Sequence, residues 1–246
     1  MPVEHIQKIL DILKTLAGEE EVVIRQNSII SLSKIIQGLS PAEVLARGFP
    51  IYRTLVSGDW FAPRVAAASL TPALLAVLPE AHHADILALY NTLCTDETPM
   101  TRRAAALVLG DVAKEVAKSL NYTLPAVSSR FQTTVYPLLQ SLSVDERDHL
   151  RELSPAAIAA VVPLVPAADY HHILMPLVAG LQDDHSWRVR TALATAMPDV
   201  MLGLLTLAQT HAKFGLANSL QAGATFDLSV LLNKTFDIYA NLLSDS

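Results

Sequence analysis

The sequence reads as all-α, an α-solenoid of stacked helical hairpins, and three observations lead there. One pattern recurs five times: an apolar segment ending in Leu, an acidic or Gly-containing turn, then Arg and an apolar helix. Apolar residues follow a 3.6-residue period, as in Ile173, Leu174, Leu177 and Leu181 of one segment and Leu109, Val112, Ala113 and Val116 of another. Strand signals are missing, because the apolar runs are rich in Ala and Leu at helical spacing and no Asn-Gly or Asp-Gly turn separates alternating segments.

The five copies read LAGEEEVVIRQNSIISL, LVSGDWFAPRVAAASL, LCTDETPMTRRAAALVL, LSVDERDHLRELSPAAI and LQDDHSWRVRTALATAM. Their arginines, Arg25, Arg64, Arg102, Arg151 and Arg190, stand 39, 38, 49 and 39 residues apart. A hairpin of this length cannot cover its own apolar stripe, so successive hairpins must stack into one continuous core. The reading is a single domain over 1–246.

In chain order, the first repeat spans about 3–37, with helices near 3–16 and 21–37. The second spans 41–77, with helices near 41–56 and 61–77. The third spans 80–117, from 80–94 and 99–117. The longer step that follows places an insertion around Ser119 to Ser128, tolerable at the surface because loop length costs little. The fourth repeat spans 128–164, with helices near 128–142 and 146–164; Pro155 lies inside the second and is expected to kink it. The fifth spans 168–203, from 168–181 and 186–203, and another loop is expected near Thr206 to Thr225. A further helix, 226–243, has no partner, so one apolar face is expected to be uncapped, as in a truncated array.

Composition narrows the function. Half the chain is apolar (51%) and the net charge is −6, against the clustered Lys/Arg excess that nucleic acid or an anionic membrane requires. The one cysteine, Cys94, excludes an internal disulfide framework and a Cys-based zinc cluster, and points to the cytosol or nucleus. Met1 is followed by Pro, Glu and His rather than a signal peptide, and the most apolar stretches are short and broken by Pro155, Pro163, Pro166, Pro198 and Asp199, unlike a membrane span.

No catalytic constellation emerges, and no enzyme activity or cofactor is expected. His82/His83 and His171/His172 are the best metal candidates, but neighbours on a helix diverge by about 100° and cannot share an ion as an i, i+4 pair does. Cys94 ends an apolar helix and reads as a small buried residue.

The turns carry the remaining information. Asp59, Asp96, Asp145 and Asp184 stand five or six positions ahead of an arginine, where an N-cap or its preceding turn belongs. The arginines are harder to place, since a cation in the first turns of a helix opposes its dipole. An Arg–Asp ladder between the same or adjacent turns answers this for Arg25, Arg64, Arg151 and Arg190. Residues outside the ladder differ between repeats: Trp60 and Phe61; Pro99, Met100 and Arg103; Ser186, Trp187 and Arg188. Aromatic and Arg side chains are enriched at protein–protein hot spots. Each Trp serves either as contact surface or as local packing, whereas Arg103 and Arg188, with no ladder duty, read as contacts.

GDWFAPRVAA, LCTDETPMTRRAAALVLGDVAK and MPLVAGLQDDHSWRVR are closely similar to turns of the scaffold (A, 65 kDa regulatory) subunits of protein phosphatase 2A, and the units resemble HEAT repeats. The likeness runs from about residue 8 to about residue 202, with the motifs in the right order. The resemblance implies a fragment from the N-terminal half of a longer scaffold. In that family the intra-repeat turns receive a regulatory B-type subunit, and C-terminal repeats, with no counterpart here, hold the catalytic subunit. Carried over residue by residue, it implies a partner-binding set of Trp60, Phe61, Pro99, Met100, Arg102, Arg103, Ser186, Trp187, Arg188 and Arg190. The turn DERDHLRELS departs from the pattern, having no aromatic, and is expected to be a weak or absent contact. The other readings are a HEAT adaptor for a tubulin-type or transport-type client, which the acidic balance disfavours for tubulin, and a truncated product without independent function.

Overall fold

The computed structural model describes residues 3–213 and 228–244, and every regular element among them is helical. None of these helices is long and apolar enough to cross a membrane. The chain divides into two compact units, Met1–Ser119 and Leu120–Ser246.

The first unit holds three helical pairs. Helix α1 (Val3–Leu16) turns into α2 (Val22–Gly38). A capping box, in which Ser40 and Glu43 satisfy each other's backbone N–H, starts α3 (Pro41–Glu43); a π-helical turn, Val44–Gly48, leads into α4 (Phe49–Val56), which pairs with α5 (Phe61–Val77). Helices α6 (His83–Cys94) and α7 (Pro99–Ser119) form the third pair. The second helices stack side by side, α2 on α5 and α5 on α7. Helix α5 is buried nearly all round because it lies between two neighbours, and its alanines Ala62, Ala66, Ala67 and Ala68 let them approach closely.

In the second unit, α8 (Leu124–Thr133) and α9 (Val135–Ser143) make the first helix of the fourth repeat. Its second helix is broken as Pro155 requires, into α10 (Asp148–Arg151) and α11 (Ser154–Val161) with Pro155 in the first turn of the latter. A short 3₁₀ turn, Val162–Leu164, follows. Then come α12 (Ala167–Asp169), a π-helical turn Tyr170–Leu174, α13 (Met175–Gln182), α14 (Trp187–Lys213) and α15 (Leu228–Ser244). Helix α11 packs on α14, and α15 packs on both α13 and α14. Thr235, fully buried on α15, shares a 2.7 Å hydrogen bond with Tyr170 and seats that helix.

Three first helices are interrupted just ahead of a proline, Pro50, Pro137 or Pro176, each eight positions before the residue that opens the following turn. Ala88 and Asp11 hold the matching place in α6 and α1, which are continuous. A proline removes one amide and crowds the carbonyl four residues back, and at Pro50 and Pro176 the wider π turn accommodates both.

Three expectations change. The fifth repeat's second helix runs on through Thr206 to Lys213, since Leu204 and Leu207 stay buried; the rest of the loop expected there lies outside the described residues. The insertion after Lys118 is shorter as a loop than its length suggests, because α8 starts at Leu124 and the chain turns through Asn121 and Tyr122 at φ 50° and 53°, left-handed values that asparagine tolerates and tyrosine rarely adopts. His83 is a core residue, 1% exposed, with Nε2 2.9 Å from the Leu78 carbonyl, and not a solvated one.

Candidate protein-binding turns

Each turn is built around its arginine, which folds back onto carbonyls of the turn itself, just past the end of the preceding helix. In the first unit, Arg25 Nη1 donates to Glu19 and Glu20 (2.8 and 3.1 Å), Arg64 Nη1 to Gly58 (2.9 Å) and Arg102 Nη1 to Asp96 and Glu97 (2.9 and 3.2 Å). In the second, Arg151 Nη1 donates to Asp145 (2.8 Å) and Arg190 Nη1 to Asp184 and His185 (2.8 and 3.4 Å). The cation at the wrong end of its own helix dipole therefore lies just past the negative end of its neighbour's, bonded to turn carbonyls that no helical N–H reaches.

The ladder runs from an arginine to the aspartate of the following turn. Arg64 faces Asp96 with Nε 2.8 Å from Oδ2, and its Nη2 donates to Asp96 Oδ1 and Thr98 Oγ1 (3.2 and 3.1 Å). Arg151 holds Asp184 bidentately, at 2.7 and 2.9 Å. The aspartates also close their own turns by accepting from the backbone N–H two residues on: Thr98 to Asp96, Arg147 to Asp145 and Ser186 to Asp184, at 2.8, 3.0 and 2.8 Å. They act in the turn before the helix and do not cap it. The Arg151 hydrogen bonds, ahead of the Ser186 amide, hold the Asp184 carboxyl below the usual aspartate value, and Asp184 in turn raises Arg151.

Asp59 does not join this series. The residue in the equivalent place is Gly58, whose carbonyl takes Arg64, while Asp59 stands one position later and is exposed. A Cβ at residue 58 would lie 2.6 Å from Pro63 Cβ, so no carboxylate fits there; and Arg25 and Arg190, expected in the ladder, bond backbone carbonyls and no carboxylate among the described residues.

With the ladder satisfied, the side chains left over turn outward. Met100 is 53% exposed and Trp187 63%. The Arg188 guanidinium lies over the Trp187 ring at 5.7 Å, and its Nη1 is 3.7 Å from Asp148 Oδ2, a long contact between exposed partners. Ser186 Oγ donates to the same Asp148 oxygen at 3.0 Å; that bond, with Arg188 and Arg151 adding to it, keeps the Asp148 carboxyl low. Trp60 is more sheltered, at 36%, meeting Phe61 edge-on at 5.1 Å. Arg103 is half-buried and makes no hydrogen bond or ion pair among the described residues. Pro99 occupies the first position of α7, half-buried. Arg102 and Arg190 are half-buried and committed through Nη1 to their own turns.

Sequence reasoning missed Val144 and Val23. Val144, at 77%, is the most exposed large apolar side chain among the described residues, and it ends α9 where Ser57, Thr95 and Asp183 end other first helices. An apolar residue in a row of polar ones was the available signal, and it makes the fourth turn apolar without an aromatic. Val23, in the first turn, is 62% exposed.

Nothing in the turns is arranged for chemistry. Burial pushes the Cys94 thiol up to about 12, so it stays protonated at neutral pH. The rings of His171 and His172 lie 4.8 Å apart, but no group of three potential metal ligands occurs among the described residues.

No protein-family model matches the chain. It is 34% identical over 174 residues to a probable serine/threonine-protein phosphatase PP2A regulatory subunit of Caenorhabditis elegans, covering 71% of this chain and 28% of that one. It is 40% identical over 106 residues to the beta isoform of the 65 kDa regulatory subunit of rat serine/threonine-protein phosphatase 2A, 43% of this chain and 18% of the relative. The corresponding PP2A regulatory subunit of Saccharomyces cerevisiae is 26% identical over 200 residues, 78% and 30% of the two chains. The chain thus spans less than a third of the length of these relatives. Among solved structures, karyopherin Kap121p superposes with a TM-score of 0.66 at 14% identity over 98% of this chain and 27% of its own, and Cex1p with 0.59 at 15% over 82% and 36%, a likeness of helical-repeat fold alone. The relatives are regulatory subunits and not catalysts, and over the stretch it shares with them the chain belongs to the 65 kDa regulatory (scaffold) family of protein phosphatase 2A.

Proposed function

We propose that the chain is a scaffold that binds a regulatory B-type subunit of a protein phosphatase 2A complex through its intra-repeat turns. The observation that carries this reading is the division of labour within the turns. The recurrent arginines and aspartates hold the turn, and the residues that vary between repeats, Trp187 and Met100 above all, are the ones left exposed on it. An indole carrying a guanidinium on a rigid turn supplies large apolar area at small entropic cost, as hot-spot residues do. Arg103, with no partner of its own in the described residues, is the natural complement to an acidic group on the bound protein.

Arg102 and Arg190 contribute by positioning, since losing either frees the carbonyls it holds. The catalytic subunit is a partner only of a chain that also carries the further repeats its relatives have. The test is direct binding of purified B-type subunits to the wild type and to Arg103→Ala and Trp187→Ala. Each substitution is expected to weaken binding by about 1–3 kcal/mol with the helix signal unchanged. Unaltered affinity for both variants, or no binding of the purified B-type subunits to the folded wild type, overturns the reading.

A further inference from the structure

Helices α11 and α14 leave an open groove of about 490 Å³ between them. Its floor is made of methyl groups, with Ala156, Ala159 and Ala160 on α11 facing Ala192 and Ala196 on α14. Side chains this short let another helix lie at the close end of the usual 8–10 Å packing range. Glu152 lines the groove near the start of α11, and Asp199 lines it two turns along α14 from Ala192. Neither has a hydrogen-bond or ion-pair partner among the described residues, whereas Asp148 and Asp184 on the turn side are both engaged. No cation lines the groove. Beyond Asp199 on the same helix, Leu202 is 62% exposed and prolongs the apolar surface.

We infer that this groove docks an amphipathic helix of a partner protein, with small or aliphatic residues on the buried face and Lys or Arg beside it to meet Glu152 and Asp199. The mode is that of a helix laid in an apolar groove, with charge fixing direction and register. The site runs along the helices and is independent of the turn reading.

Fluorescence anisotropy tests it, using the whole chain and a labelled alanine/leucine-faced helical peptide with Lys at positions i and i+7, against the same peptide with Glu there. The Lys peptide is expected to bind at least about tenfold more tightly, with the preference falling as salt rises. Ala160→Trp, which fills the floor, is expected to abolish binding, and the double variant Glu152→Lys/Asp199→Lys to reverse the preference, with circular-dichroism melts matching wild type. Should Ala160→Trp not fold, the charge reversal carries the test alone, both carboxylates being at the surface. Equal affinity for the two peptides, or a preference that survives charge reversal, overturns the inference. So does sedimentation showing a dimer that Ala160→Trp dissolves, which would make a second copy the occupant.

Discussion

At the scale of single residues, the Arg151–Asp184 pair separates holding a turn from presenting it. Both side chains are mostly covered, 18% and 9% exposed, and each serves two elements at once. Arg151→Met leaves a nearly buried carboxylate with only the Ser186 amide and uncovers the Asp145 carbonyl, and about 2–4 kcal/mol of stability should be lost in urea unfolding. The pair also sets a pH dependence. Because the folded-state pKa of Asp184 is lowered, its contribution is complete above the ordinary value of 3.8 and is lost as pH falls through the lowered one. Wild type should therefore weaken on acidification below about pH 4 more steeply than Arg151→Met, in which Asp184 returns toward its ordinary value. A parallel acid slope in the two proteins, followed by urea midpoints, would remove Asp184 from the account. Trp187→Ala, by contrast, should leave the midpoint within about 0.5 kcal/mol of wild type, since the indole is turned out.

At the scale of elements, close approach decides against intrinsic propensity. Gly203 sits inside α14, where alanine would ordinarily favour the helix by about 1 kcal/mol. A Cβ there would stand 2.9 Å from Val162 Cγ1 and 3.2 Å from Pro163 Cδ, on the 3₁₀ turn that follows α11. The steric cost of about 1–3 kcal/mol outweighs the gain, so Gly203→Ala is expected to lower the melting temperature. An unchanged or raised value would mean that the 3₁₀ turn yields. Helix α15 packs on α13 and α14 and is pinned there by a buried polar contact. Thr235→Val keeps the shape but leaves the Tyr170 hydroxyl without its partner, at about 1–2 kcal/mol, and faster amide exchange confined to α15 is the expected signature. The π turns belong to this scale too. Pro50 and Pro176 are visible in the sequence as helix breakers, yet whether a proline ends a helix or widens it into a π turn depends on what packs around the freed carbonyls.

At the scale of the whole molecule, the repeat, the helical class and the family were all legible in the sequence, because each is written in local or periodic signals. The 3.6-residue apolar period needs only the order of residues, and the recurring arginine marks the start of every second helix. The turn residues were legible as types. Their division into holders and presenters was not: Asp59 and Asp96 differ by one position relative to their arginines, and only the folded turns show that Asp96 meets an arginine while Gly58, pressed against Pro63, holds the place equivalent to it. Val144 and His83 escaped for the same reason: exposure and burial at the end of a helix depend on which neighbour covers it. The sequence by itself determined an all-helical array of about forty-residue units and its kinship with phosphatase 2A regulatory subunits. Tertiary structure alone decided that each arginine closes its own turn and pairs, where it pairs, with the turn after it. A guanidinium can satisfy carbonyls and a carboxylate at once only when packing has brought two turns within hydrogen-bonding distance, and no spacing along the chain encodes that distance.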